Sequence, residues 1–144
     1  MSRNLFAGVW SLVSFAAHRT SGEERLPFGE RPTGRLIYTA TGHMSATLSR
    51  TERQSFASSG RRKCTDAELS VAFESFDAYA GTHEVDAVHT KVIHHVTLSN
   101  WPNMTGTDQV RYFQFKGDEL ILTTPLTLAR GIEWVLTLQW RRLA

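Results

Sequence analysis

The feature that most constrains this chain is the alternation in its last stretch, residues 132–142. Trp134, Leu136, Leu138 and Trp140 fall on one side, and Glu133, Val135, Thr137, Gln139 and Arg141 on the other. Successive strand residues point to opposite faces, so this stretch reads as a strand with one apolar and one polar face. Comparable extended runs occur at 8–19, 34–40, 43–50, 82–86, 90–99, 107–116 and 118–124. Eight strands with short connections predict an antiparallel up-and-down sheet, and closing it into a barrel removes both exposed edges. The expected architecture is mainly β, an eight-stranded antiparallel barrel built from residues 1–144 as one domain. Such a barrel has room for packed side chains or for one small ligand.

The turns set an expected register. Thr41-Gly42 reads as a two-residue hairpin turn, which pairs Ala40 with His43, Tyr38 with Ser45 and Leu36 with Thr47. A turn over Asp86 to His89 pairs Val85 with Thr90 and His83 with Val92. His94 then lies opposite Gly81, with His83 as its diagonal neighbour.

One segment breaks the two-residue period. Thr65-Asp66-Ala67-Glu68 has the form of a capping box, with threonine as N-cap and glutamate three residues on. Leu69, Ala72, Phe73, Phe76 and Ala80 follow at helical spacing, and Gly81 stands where a terminating glycine belongs. An inserted α-helix is expected over about residues 66–80. The polar run before it, Thr51 to Lys63, reads as a loop.

Composition excludes several classes. A net charge of +2 over 144 residues is too small a basic excess to argue for nucleic acid. The single cysteine, Cys64, rules out an intrachain disulfide and favours a reducing compartment. No apolar run is long enough for a membrane-spanning helix. The apolar stretch Phe6 to Ala17, behind Arg3, does not suit a signal peptide, because it carries Gly8, Trp10, Ser11 and Ser14 and supplies the first strand. A cytoplasmic protein is expected, with a small-molecule partner and without nucleic-acid or membrane partners. A homodimer is left open.

Gly8-Val9-Trp10 opens the first strand and Trp140-Arg141-Arg142 closes the last. With Pro27-Phe28-Gly29, Gly34 to Ala40, Met44-Ser45-Ala46, His94-His95-Val96, Pro102-Asn103 and Gly106 to Arg111, this ordered set resembles the lipocalin-like domain family of bacteria and fungi. The resemblance covers most of the chain. It implies that Trp10 plugs one end of a barrel and that an arginine near the C-terminus packs over its indole. Arg142 shares the parity of Trp140 and is taken as that cap, with Arg141 as the alternative. The chain departs from secreted lipocalins in its mid-chain helix and its lack of disulfides. The resemblance implies a small-molecule cavity without naming a ligand or reaction.

The chemistry-bearing residues are few. There is no Gly-x-Ser-x-Gly, phosphate-cradling glycine loop or dinucleotide fingerprint. His94 and His95 are adjacent in a strand, so one faces the lumen and the other faces out. The Val92, His94, Val96, Leu98 face is the more apolar, which favours His94 inside. His83 and His94 lack a third ligand for a metal, and neither metal nor cofactor is expected. If Phe113 and Phe115 fill the barrel, Arg111 also points inward and needs a partner; in the opposite register Val110 and Tyr112 do. His94 or His95, with Tyr38 and Arg111, are the candidates for acid–base and carbonyl-polarising roles. Tyr38, His83, His94, Trp101, Asn103, Arg111, Tyr112, Phe113 and Trp134 are the candidate ligand contacts. Two functions fit: binding of an apolar molecule bearing a carbonyl or acid group, or cofactor-independent cyclisation, isomerisation or hydration of one. A barrel filled by its own side chains would serve neither.

Overall fold

The computed structural model describes residues 4–144; Arg3 lies outside them. The strands are β1 (Gly8–His18), β2 (Glu24–Arg25), β3 (Thr33–Tyr38), β4 (His43–Ser49), β5 (Phe76–Asp86), β6 (Lys91–Ser99), β7 (Asp108–Lys116), β8 (Glu119–Thr123), β9 (Thr127–Ala129) and β10 (Ile132–Arg142), with helix α1 at Asp66–Glu74. Neighbouring strands pair in the order β1-β3-β4-β5-β6-β7-β8-β10, and β10 pairs back onto β1. The result is the expected closed eight-stranded antiparallel barrel. The two short strands, β2 and β9, are additions that pair with β1 and β10 respectively.

The inward faces follow the alternation. Leu36 and Tyr38, Met44, Ala46 and Leu48, Val92, His94 and Val96, and Leu120 and Leu122 are all buried. In β1 the buried positions are Trp10 and Leu12, then Phe15 and Ala17. The change of parity coincides with a bulge in the β1–β10 pairing between Leu12 and Ser14. One extra residue there returns the aromatic side chain to the interior.

One end is sealed as expected. Trp10 is 1% exposed and its indole N–H donates to the Phe6 carbonyl at 3.0 Å. The Arg142 guanidinium lies 4.2 Å from the Trp10 ring centroid and donates to the carbonyls of Ala7 and Leu5. Arg141 instead faces outward and pairs with Glu119 at 2.8 Å. Gly8 has φ +141°, and a side chain there would collide with the Arg142 guanidinium and the Ala144 carbonyl. Phe6, Phe113 and Phe115 pack edge to face behind the plug, with centroids 5.0 Å from Phe6 to each partner.

Two expected registers are off by one residue or more. Tyr38 pairs with Met44 and Leu36 with Ala46, because the turn spans four residues, Thr39 to Gly42, closed by the Thr39 N–H to the His43 carbonyl. Similarly, Val85 pairs with Val92 and His83 with His94. At β3–β4 the observed pairing sets buried side chains opposite buried ones, which outweighs the preference for the shorter turn; at β5–β6 the shift is two residues and leaves the faces unchanged.

The helix is also shorter than expected. Its capping box is present, with Glu68 N–H to Thr65 Oγ1 at 3.1 Å and Thr65 N–H to Glu68 Oε1 at 2.9 Å. It ends at Glu74, and residues 76–82 pair with β4 instead. None of its residues is buried, so the apolar stripe of Leu69, Ala72 and Phe73 gains no core contact that would extend the helix. Gly81 sits within β5 at a bulge opposite β6, where a Cβ would run into the His95 carbonyl.

Candidate ligand-binding site

The open end of the barrel leads into a cavity of about 240 Å³. Its walls are largely apolar: Phe15, Leu36, Leu48, Leu122, Leu136, Leu138 and Trp140. Its polar groups are concentrated on β5, β6 and β7, as Asp77, Tyr79, His94 and Arg111. The mouth is bordered by Ser99, Asn100, Trp101 and Met104. The Asn100 side chain ties this rim together, accepting from the Ala78 N–H at 3.0 Å and donating to the Phe76 carbonyl at 2.8 Å.

His94 is the centre of the polar wall. It is 1% exposed, and both ring nitrogens are engaged: Nε2 lies 2.6 Å from the Tyr38 hydroxyl and Nδ1 lies 2.7 Å from the Tyr79 hydroxyl. Burial, reinforced by the positive charge of Arg111, lowers its pKa from 6.5 to about 3, so the imidazole is neutral at physiological pH. Burial pushes the Tyr38 phenol well above its ordinary range and raises that of Tyr79, where Arg111 partly opposes the rise. Both tyrosines are therefore protonated donors.

Arg111 faces inward with Phe113 and Phe115, as the aromatic pattern predicts. Its guanidinium donates to the Val110 carbonyl at 2.9 Å, and among the described residues no carboxylate forms an ion pair with it. A cation lining a small apolar cavity without a carboxylate partner is costly unless a ligand or water supplies acceptors. Asp77 stands at the mouth two residues from Tyr79 on the same strand, with its carboxyl pKa raised by burial.

Several expected contacts fall elsewhere. His95 is on the outer face between Glu84 (2.6 Å) and Asp108 (2.7 Å), and these carboxylates raise its pKa. It cannot reach a ligand in the lumen. Tyr38 lies behind His94, so it serves that ring and not the cavity. His83 packs against Tyr38 at 4.6 Å between ring centroids, and its buried Nδ1 has no hydrogen-bond partner among the described residues. Phe113 is consumed by the plug cluster with Phe6. Tyr112 points outward, following the alternation that turns Arg111 in. Asn103 lies in the short 3-10 turn Pro102–Met104 and leaves the rim position to Met104. Trp134 shares the inward face of β10 but lies outside the cavity, where Arg19 and Arg25 stack on it at 5.7 and 5.4 Å. Of the expected ligand contacts, His94, Arg111 and Trp101 line the cavity.

Tyr79 and Asp77 are the residues that the sequence reading missed. Both were absorbed into the overlong helix. A signal existed: Asp77, Tyr79 and Gly81 alternate with Phe76, Ala78 and Ala80 as well as any strand, but the helical spacing of Phe73, Phe76 and Ala80 competed with it.

A closed barrel, sealed by an indole and a guanidinium at one end and open to an apolar cavity at the other, defines a small-molecule-binding barrel. The chain belongs to the lipocalin-like domain family, whose pattern matches residues 7–143. It is also 44% identical over 87 residues to the 4'-hydroxy-3'-methoxypropiophenone carrier protein ppsC of Aspergillus oryzae. That match covers 55% of this chain and 78% of the relative. No helix among the described residues is long and apolar enough to cross a membrane.

Proposed function

We propose that this barrel holds a small, mostly apolar aromatic molecule carrying a carbonyl group. The observation that carries this reading is the composition of the cavity wall: apolar side chains on most sides, with Tyr79, His94 and Arg111 gathered on one. Pockets for small organic ligands combine such walls with a few convergent polar groups. At about 240 Å³ the cavity lies just below the roughly 300 Å³ at which drug-sized sites begin, a size for one substituted ring. The name of the relative, a carrier of an aryl ketone, agrees with that chemistry.

The competing reading is a cofactor-independent cyclase, isomerase or hydratase. It draws on Asp77, Tyr79 and Arg111 meeting in one cavity. His94 does not serve it as a base: both of its nitrogens are held by tyrosines, and its lone pair takes a proton only near pH 3. The balance favours binding.

Trp140 and Trp101 both line the cavity, so a bound aryl ketone will quench intrinsic fluorescence. Titration with 4'-hydroxy-3'-methoxypropiophenone is expected to give saturable quenching. A Leu136→Trp variant, which fills the cavity, is expected to abolish it. Unaltered binding in that variant would move the site out of the barrel. Native mass spectrometry of the purified protein provides an independent measurement, through the mass of any retained molecule.

A further inference from the structure

The hydrogen bonds around His94 have a direction, and the direction determines what the cavity presents to a ligand. Tyr38 is buried, and among the described residues its hydroxyl has a single partner, His94 Nε2. A phenol has one proton to give. If Nε2 carried a hydrogen, the Tyr38 proton would be left buried with no acceptor, which costs about 1–3 kcal/mol. The Tyr38 O–H therefore donates to Nε2. A neutral imidazole then carries its hydrogen on Nδ1, and Nδ1–H donates to the Tyr79 oxygen 2.7 Å away. That leaves the Tyr79 proton. Among the described residues its hydroxyl meets His94 Nδ1–H and the donor-only Arg111 guanidinium but no acceptor for its own proton, and Tyr79 lines the cavity. Its O–H is free to donate into the lumen. Arg111, on the same wall, has donors only.

We infer that Tyr79 and Arg111 form a donor-only subsite for a hydrogen-bond acceptor, held in that polarity by the Tyr38–His94 relay, so that the cavity selects a ketone over the same skeleton with a methylene in place of the carbonyl. This rests on the proposed binding of an aromatic carbonyl compound and adds to it which residues read the carbonyl and in which direction. Tyr79 contacts the ligand; His94 and Tyr38 are positioning residues that fix the orientation of its proton.

The test compares two ligands on two proteins by calorimetric titration. One ligand is 4'-hydroxy-3'-methoxypropiophenone; the other is 2-methoxy-4-propylphenol, identical but for a methylene in place of the carbonyl. The wild-type protein is expected to bind the ketone about ten- to a hundredfold more tightly, the effect of leaving desolvated donors without an acceptor. Tyr79→Phe is expected to lose most of that preference. The infrared carbonyl band of the bound ketone provides a second readout. It should move to lower frequency in the wild-type protein and return toward its free position in Tyr79→Phe. Equal wild-type affinity for both ligands, or an unshifted carbonyl band, would overturn the donor subsite while leaving the binding function intact. Binding of neither ligand to the wild type would overturn the aryl-ketone reading, and the subsite with it.

Discussion

His94 makes the stability of this barrel depend on pH in a calculable way. The perturbation is protonation of a neutral, buried imidazole. In the unfolded chain the ring takes up a proton near pH 6.5; in the folded chain it does so only near pH 3. Between these values the unfolded state binds more protons, so stability falls as pH falls. Above pH 6.5 the contribution is complete. Below it, the loss is about 1.4 kcal/mol per pH unit, roughly 5 kcal/mol by pH 3. Carboxylates also titrate below about pH 5, so the informative window is pH 5 to 6.5, where the expected loss from His94 is roughly 1.5 kcal/mol. His83, lowered by burial, acts in the same direction, and His95, raised by its carboxylates, contributes above this window. A His94→Gln variant separates them: glutamine does not titrate, while the other histidines remain. Urea midpoints for both proteins at half-unit intervals from pH 5 to 7.5 are the assay. The wild type is expected to lose stability toward pH 5 more steeply than the variant by that amount. Parallel curves would mean that His94 protonates in the folded barrel at an ordinary pH, and the buried tyrosine–imidazole relay would be refuted.

Three further outcomes follow from the packing. Arg142→Ala removes the cation over Trp10 and its bonds to the Ala7 and Leu5 carbonyls, and should cost about 2–3 kcal/mol in denaturant unfolding, with Arg142→Lys recovering part; an unchanged midpoint would show that the plug stands without its cap. Gly81→Ala sets a methyl against the His95 carbonyl and should cost about 1–3 kcal/mol while displacing the β5–β6 pairing, visible as shifted amide resonances across both strands; a neutral effect would refute the close approach. Asp77 has a raised carboxyl pKa, so its contribution to stability is present at low pH and is lost as pH rises from the ordinary carboxylate range through the raised value. Asp77→Asn should therefore raise the thermal midpoint at pH 7, and a lowered midpoint would show that the carboxylate has a stabilising partner.

The sequence conveyed the barrel well and its polar wall incompletely, for one physical reason. Strand alternation is a local pattern, and wherever one face is buried it can be read directly: β10, β6 and β7 have the expected faces, so His94 and Arg111 point inward as their neighbours predict. Register is not local. It depends on turn length, and lengthening the Thr39–Gly42 turn moved Tyr38 from opposite Ser45 to opposite Met44. A separate shift at β5–β6 sets His83 across from His94. The larger miss, at β5, came from two periods coexisting in one stretch. Phe73, Phe76 and Ala80 sit at helical spacing after a working capping box, while Asp77, Tyr79 and Gly81 sit at strand spacing. An isolated helix face of that length is marginal, and here it finds nothing to bury against. The strand gains a full ladder to β4 and a second to β6. Pairing on both sides outweighs a local helical preference, and it carries Tyr79 into the cavity, where it completes the relay from Tyr38. This cavity-lining tyrosine could therefore be identified only after the barrel had claimed its strand.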